Sequence, residues 1–215
     1  MVGAEHPPYL AWRVPGAPTI SLEPLAPTAI LSRMPEYPAA AGIPGGTYFF
    51  TVVTYDRMPI LCQDACRWAL RAAIQETRVR FPFESPAWVL LPDHLHCIWK
   101  LPEGDADFPT RWRLIKARFS RLVADGLSHS APANPSRQRH AERTVWQRRY
   151  WEHAIRNEED LQRHIDYIHF NPVKHGLAAE PGEWSYSTYR SFVEKGFYQE
   201  KRLSEQSVGA DIEWE

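Results

Sequence analysis

Alternation of apolar and polar residues predicts four β-strands between residues 47 and 155. The run TYFFTVVTY at 47–55 is rich in β-branched and aromatic residues and predicts the first strand. Residues 87–91 and 94–101 predict two more strands, and the tight turn between them makes this pair a hairpin. Residues 146–155 alternate enough to predict the fourth.

Apolar residues at helical spacing predict two helices between these strands. Asp64 is the expected N-cap of the first, which should run to about residue 80. Asp107 or Thr110 should begin the second, which should run to about residue 123. Its predicted apolar stripe consists of Trp112, Ile115, Phe119 and Leu122.

A third helix should follow the last strand and carry the most unusual polar face. Asn157 is the expected N-cap, with three acidic residues in the first turn, and Pro172 should end the helix at Asn171. A short helix over 184–193 should close the pattern. The resulting order β-α-β-β-α-β-α predicts an α+β fold, a ferredoxin-like antiparallel sheet with helices packed on it.

Composition divides the chain into one folded domain and two flanking segments. With 44% hydrophobic and 24% charged residues, the 215-residue chain resembles an ordinary globular protein. Nine of the nineteen prolines lie in the first 46 residues, so we interpret 1–44 as an irregular extension. Residues 45–193 should form the folded domain, and 194–215 a polar tail.

Other compositional features favour a cytoplasmic protein. No segment approaches the roughly 18 uninterrupted apolar residues of a membrane span, and the N-terminus does not resemble a signal peptide. The three cysteines are too few and too oddly spaced for a disulfide framework.

The net charge of −1 conceals a basic middle. Residues 111–149 contain ten Lys or Arg and only two acidic residues, a local excess of +8, with a flexible loop predicted at 126–143. Such a region favours an anionic partner, nucleic acid being the commonest. A solvated, mixed surface would explain the charge equally well.

Two histidines on one strand and two polar residues on one helix are candidates for chemistry. His94 and His96 point to the same face of their strand and could chelate a divalent ion, although such pairs also serve packing. Asn171, one helical turn after Tyr167, could add an oxygen ligand, and the set would suit Mg²⁺ or Mn²⁺. Tyr167 would then be a candidate nucleophile; the alternative is a tyrosine that anchors its helix.

These residues and their order along the chain resemble the single-tyrosine HUH (His-hydrophobic-His) transposases, and most closely the REP-associated tyrosine transposases of bacteria. The resemblance rests on His94-Leu95-His96 and on the run YIHFNPVKHGL that starts at Tyr167. It extends over residues 44–193, and the other matching stretches are 44–53, 88–97, 113–116 and 146–153.

The resemblance implies an HUH nuclease fold and a DNA strand-transfer reaction. Tyr167 would attack a phosphodiester of single-stranded or hairpin DNA and form a 5′-phosphotyrosine. His94, His96 and Asn171 would hold the metal ion. His153 and His164 would lie next to these ligands and help to position them. The expected DNA contacts are Arg111, Arg113, Lys116, Arg118, Arg148, Arg149, Arg163 and Lys174.

Two other functions remain open. The chain could be a domesticated protein that binds DNA hairpins without cutting them, or a metal-dependent hydrolase of a small phosphoester. A DNA transposase would work beside the nucleoid, and the sequence leaves both monomer and homodimer open.

Overall fold

A four-stranded antiparallel sheet forms the centre of the computed structural model, which describes residues 43–124 and 145–198. The strands lie in the order β2-β3-β1-β4, which is the predicted ferredoxin-like arrangement and confirms the α+β class. In chain order they are β1 (Thr47–Val53), β2 (Trp88–Leu90), β3 (His94–Lys100) and β4 (Trp151–Ala154).

Helices cover both faces of this sheet. In chain order they are α1 (Asp64–Arg80), α2 (Phe108–Leu122), α3 (Glu158–Lys174) and α4 (Tyr189–Glu194). The apolar residues of α1 and α2 pack on one face in a single buried cluster. Those of α3 and α4 form a second cluster on the other face. None of the helices in the described part of the chain is long and apolar enough to cross a membrane.

The alternation of side chains along β3 decides which face receives the two histidines. Leu95, Cys97 and Trp99 point into the cluster beneath α1 and α2. Ile98 belongs to the cluster beneath α3, and His94 and His96 share its side of the strand. The period of two therefore places both imidazoles on one face, as the sequence predicted, and the packing of α3 on that face brings them toward the helix.

Arg111 was expected on the surface, but it is fully buried. Its guanidinium forms an ion pair with Asp105 at 2.6 Å and also donates to the carbonyls of Phe81, Pro82 and Asp107. A fork of five donors satisfies this many acceptors at once. Arg111 therefore joins α2 to the chain after α1, and its burial removes it from the predicted set of phosphate contacts.

The boundaries of α1 and α3 were predicted closely, with one error in each. Asp64 does not cap α1: it is the first helical residue and pairs with Arg67 at 2.6 Å, while Gln63 occupies the N-cap position. Pro172 does not end α3, which continues to Lys174. Pro172 lies in the last turn of the helix. Carbonyls in this turn accept from N–H groups that follow the proline, as when the His175 N–H donates to the Asn171 carbonyl.

Two predicted elements are shorter in the structure. β4 begins at Trp151 rather than 146, because Trp146 makes only an isolated bridge to Thr54 and its ring packs on Phe119 at 4.9 Å. The predicted helix over 184–193 begins only at Tyr189, because residues 186–188 instead pair with β2 through backbone hydrogen bonds. The proline-rich extension before residue 43, the loop at 126–143 and the tail after residue 198 lie outside the described residues.

Candidate active site

The predicted site residues meet in one cleft between β3 and α3. The imidazole centroids of His94 and His96 are 4.8 Å apart, and the Tyr167 ring lies 5.1 Å from that of His96. His175, two helical turns after Tyr167, lies 5.1 Å from His94. Asn171 occupies the intervening turn of the same helical row, and its side chain lies beside the Tyr167 phenol.

His96 has one nitrogen occupied and one without a partner. Its Nδ1 lies 2.8 Å from the Thr51 hydroxyl, and Thr51 is its direct cross-strand neighbour on β1. Its Nε2 is buried and has no hydrogen-bond partner among the described residues. Burial, together with the charges of His94, His175 and Lys174, lowers the pKa of His96 well below its usual value. A neutral imidazole with a free lone pair is what a metal ion requires.

His94 is held by the residue before it. Its Nδ1 lies 2.6 Å from an Asp93 carboxylate oxygen, and the other oxygen of Asp93 accepts from Arg57 at 3.1 Å. Burial acts to raise the pKa of Asp93, but His94 and Arg57 outweigh it and keep that pKa below its usual range. Because a carboxylate can only accept, Nδ1 of His94 donates in this contact, which leaves Nε2 as the nitrogen that the ring can offer to a metal ion.

Tyr167 is half-buried with its ring in an aromatic environment. Besides His96, its ring contacts Phe49 at 5.9 Å, and the Lys174 ammonium lies 5.3 Å from its centroid. Burial raises the pKa of the phenol above 10, and the nearby Asn171 side chain partly offsets this rise. The neutral phenol is a poor nucleophile, so attack requires a partner that stabilises the phenolate.

Asn171 is completely buried, and neither atom of its carboxamide has a partner at hydrogen-bonding geometry within the described residues. Native proteins rarely leave such groups unpaired, and a missing ion or water is a common explanation. The amide oxygen of Asn171 and Nε2 of His96 are both buried atoms without a hydrogen-bond partner in the described residues, and both are atom types that could bind a metal ion. Two imidazole nitrogens and one amide oxygen suit Mg²⁺ or Mn²⁺ that retains water ligands.

His153 and His164, predicted to support this set, belong to a neighbouring cluster around Asp160. His153 lies 2.8 Å and His164 3.2 Å from the Asp160 carboxylate, and all three could offer ligand atoms within 4.8 Å of one another. That carboxylate also accepts from the Arg156 N–H at 2.9 Å. The Phe49 ring contacts both His164, at 4.8 Å, and His96, at 5.6 Å. The cluster therefore joins β4 to the start of α3, one aromatic ring away from His96.

Of the predicted DNA contacts, Lys174 is the one that the structure places against the nucleophile. Arg163 is exposed and pairs with Glu159 on its own helix. Lys116 and Arg118 lie on α2, which packs on the opposite face of the sheet. Lys116 donates to the Gln147 carbonyl at 2.9 Å, and Arg118 pairs with Glu76 at 2.7 Å. Arg113, Arg148 and Arg149 are exposed.

Sequence reasoning missed the residues that orient the two imidazoles. Asp93 directly precedes His94, and an acceptor at that position is a signal that could have been noticed. Thr51 reaches His96 only because of the β1–β3 register, which the sequence pattern does not specify. The contact between Arg57 and Asp93 depends on an unusual turn after β1, and no pattern in the sequence indicates it.

Comparison with known proteins shows close relatives over most of the domain. The chain is 45% identical over 156 residues to the REP-associated tyrosine transposase of Escherichia coli (strain K12), a match that covers 73% of this chain and 84% of the relative. It is 39% identical over 156 residues to a putative REP-associated tyrosine transposase of Haemophilus influenzae, covering 73% and 86%. No protein-family model matches the chain.

A solved structure agrees with these relatives. The structure of a REP-associated tyrosine transposase bound to a REP hairpin is 41% identical to this chain and superposes with a TM-score of 0.62. The match covers 84% of this chain and all of the other.

Proposed function

The chain belongs to the REP-associated tyrosine transposases, and we propose that it cleaves and rejoins single-stranded DNA at hairpin-forming REP repeats through Tyr167. The observation that carries this proposal is the cleft itself. The half-buried Tyr167 ring contacts the His96 imidazole, which lies beside that of His94, and the buried carboxamide of Asn171 occupies the next turn of the helix.

In the proposed step, the Tyr167 oxygen attacks the scissile phosphorus and the bond to the 3′-oxygen breaks. The DNA 5′ phosphate becomes linked to the tyrosine, the phenol loses a proton, and the departing 3′-oxygen gains one. Reversal by another 3′-hydroxyl rejoins strands, because the phosphotyrosine conserves the energy of the original diester. Lys174, beside the Tyr167 ring, is placed to neutralise charge on the phenolate and the phosphate.

His94, His96 and Asn171 would hold a divalent ion, Mg²⁺ or Mn²⁺. When bound, the ion would polarise the phosphate and stabilise charge on the leaving oxygen. The chain's own contribution is the donor set: neutral His96, His94 oriented by Asp93, and an amide oxygen that lacks a partner.

Hairpin DNA is the proposed partner, because a relative with 41% identity is bound to a REP hairpin. The basic residues on α2 and before β4 lie away from the cleft, so they would bind the hairpin stem while the cleft receives the single strand. Oligomeric state and location beside the nucleoid remain predictions.

The test is a covalent-adduct assay. A labelled hairpin oligonucleotide carrying the repeats that flank the coding region is incubated with protein and Mn²⁺, and SDS-resistant adducts are resolved by electrophoresis. We expect an adduct from the wild type and none from Tyr167→Phe. Tyr150→Phe is the matched control, because Tyr150 is also half-buried but packs against Phe108 and Trp112 on the opposite face, and it should retain the adduct.

Three results would overturn the proposal, each in favour of a different function. Salt-sensitive hairpin binding without any adduct would indicate a DNA-binding protein that has lost cleavage. Turnover of a small phosphoester without a covalent intermediate would indicate a phosphoesterase. An adduct that persists in Tyr167→Phe would indicate another nucleophile.

A further inference from the structure

The turn after β1 holds an unfavourable backbone conformation at two consecutive residues. Asp56 and Arg57 have φ values of +52° and +48°, in the left-handed region that side chains with a Cβ avoid. For a residue with a Cβ this conformation is strained. Conformations of this kind persist where surrounding contacts enforce them, and they concentrate at functional sites.

Three contacts of this turn meet at one residue, Asp93. The Asp93 backbone carbonyl accepts from both the N–H and the hydroxyl of Thr54, at 2.8 and 2.9 Å. The left-handed conformation then directs Arg57 back, so that its guanidinium reaches the Asp93 carboxylate at 3.1 Å. The turn and the β2–β3 hairpin are thus joined at the residue before His94.

Stability alone does not account for this arrangement. The Arg57 side chain is 65% exposed, and an ion pair that exposed contributes little to stability. The more consequential contact of Asp93 is on its other side, where its carboxylate lies 2.6 Å from Nδ1 of His94.

We propose that Asp93, fixed in place by Arg57, is a positioning residue that sets the tautomer and the ring orientation of His94 and so turns its Nε2 into the cleft. The Asp93 carboxylate accepts a hydrogen bond from the Nδ1–H of His94, which leaves the Nε2 lone pair to face a bound ion. Carboxylates that orient metal-binding histidines in this way typically change metal affinity 10- to 100-fold when removed. This proposal rests on the metal centre proposed above.

The experiment compares Asp93→Leu, which loses the acceptor, with Asp93→Asn, which retains an oxygen acceptor without the charge. Asp56→Gly is the matched control: it relieves strain in the same turn and leaves the Arg57–Asp93–His94 contacts in place. All variants are first checked for thermal stability and hairpin binding. Two readouts follow, the ¹⁵N chemical shifts of the His94 ring in the metal-free protein and Mn²⁺ affinity from the EPR signal of free Mn²⁺.

We expect Asp93→Leu to convert His94 from a single Nδ1-protonated tautomer to a mixture and to weaken Mn²⁺ binding about 10- to 100-fold. Asp93→Asn should keep the tautomer and lose less affinity, and Asp56→Gly should match the wild type in both readouts. The tautomer readout needs no metal, so it tests the positioning role independently of the proposed reaction.

Opposite results separate the two proposals. An unchanged His94 tautomer in folded Asp93→Leu would overturn the positioning role, as would unchanged Mn²⁺ affinity. A wild type that binds no Mn²⁺ while showing the expected tautomer would overturn the metal centre instead, and with it the purpose assigned to Asp93.

Discussion

Replacing Asn171 with leucine should make the protein more stable while removing a metal ligand. Asn171 is fully buried, and although its side chain lies beside the Tyr167 phenol, neither atom of its carboxamide forms a hydrogen bond of standard geometry within the described structure. Leucine has a similar size and shape and carries no polar group that needs a partner. The substitution therefore separates the requirements of folding from those of the proposed chemistry at one position.

The expected gain follows from the unpaired amide. A buried polar group without a partner costs about 1–3 kcal/mol, and an apolar replacement of similar shape recovers that cost. We therefore expect Asn171→Leu to raise the free energy of unfolding by about 1–3 kcal/mol. For a chain of this length, each kcal/mol corresponds to about 2–4 °C, so the melting temperature should rise by about 2–12 °C.

The measurement is thermal and urea unfolding of the metal-free protein, with Mn²⁺ affinity measured in parallel. Asn157→Ala is the control on the same helix, because its side chain does have a partner, the Asp160 N–H at 2.9 Å. That variant should lose about 0.5–2 kcal/mol, the opposite sign. If Asn171→Leu is destabilised, or binds Mn²⁺ as tightly as the wild type, the inference that Asn171 is kept for a ligand is wrong.

Two further predictions concern buried groups outside the cleft. Arg111→Met should lower the free energy of unfolding by about 2–4 kcal/mol, because the acceptors around the guanidinium lose their donor. The hairpin affinity of the folded protein should not change. A stable variant with weaker and less salt-sensitive hairpin binding would show that Arg111 is a DNA contact after all. Burial lowers the pKa of His169 to about 3, against about 6.5 when unfolded, so its contribution to stability is complete above pH 6.5 and declines as the pH falls toward 3. Between pH 6.5 and 5 the loss should be about 2 kcal/mol, and His169→Gln should remove this slope; parallel stability curves for the two proteins would contradict the assignment.

Sequence patterns predicted most helices and strands because capping and periodicity depend on residues that are close together in the chain. Asn157 caps α3 and Asp107 caps α2 as expected, since an N-cap needs only a side-chain acceptor next to free N–H groups. The prediction failed where distant residues intervene. Trp146 looked like part of a strand but packs against α2, and residues 186–188 looked helical but pair with β2.

The candidate site likewise has a part that local patterns predict and a part that depends on distant residues. His94, His96, Tyr167 and Asn171 are recognisable from the sequence, because a period of two or of one helical turn places each pair on one side of its own element. Whether the strand pair and the helix pair face each other depends on which side of the sheet α3 covers, and the sequence pattern alone does not state that.

The sequence by itself determined the elements, the fold class and the residues that could carry chemistry, because periodicity and capping act over a few residues. Only the tertiary structure decided that Arg111 is buried, that the basic helix α2 lies across the sheet from the nucleophile, and that Thr51 and Asp93 orient the two imidazoles. Those outcomes depend on strand register, on the face each helix covers and on a strained turn. They are set by packing between residues far apart in the chain, which no local pattern encodes.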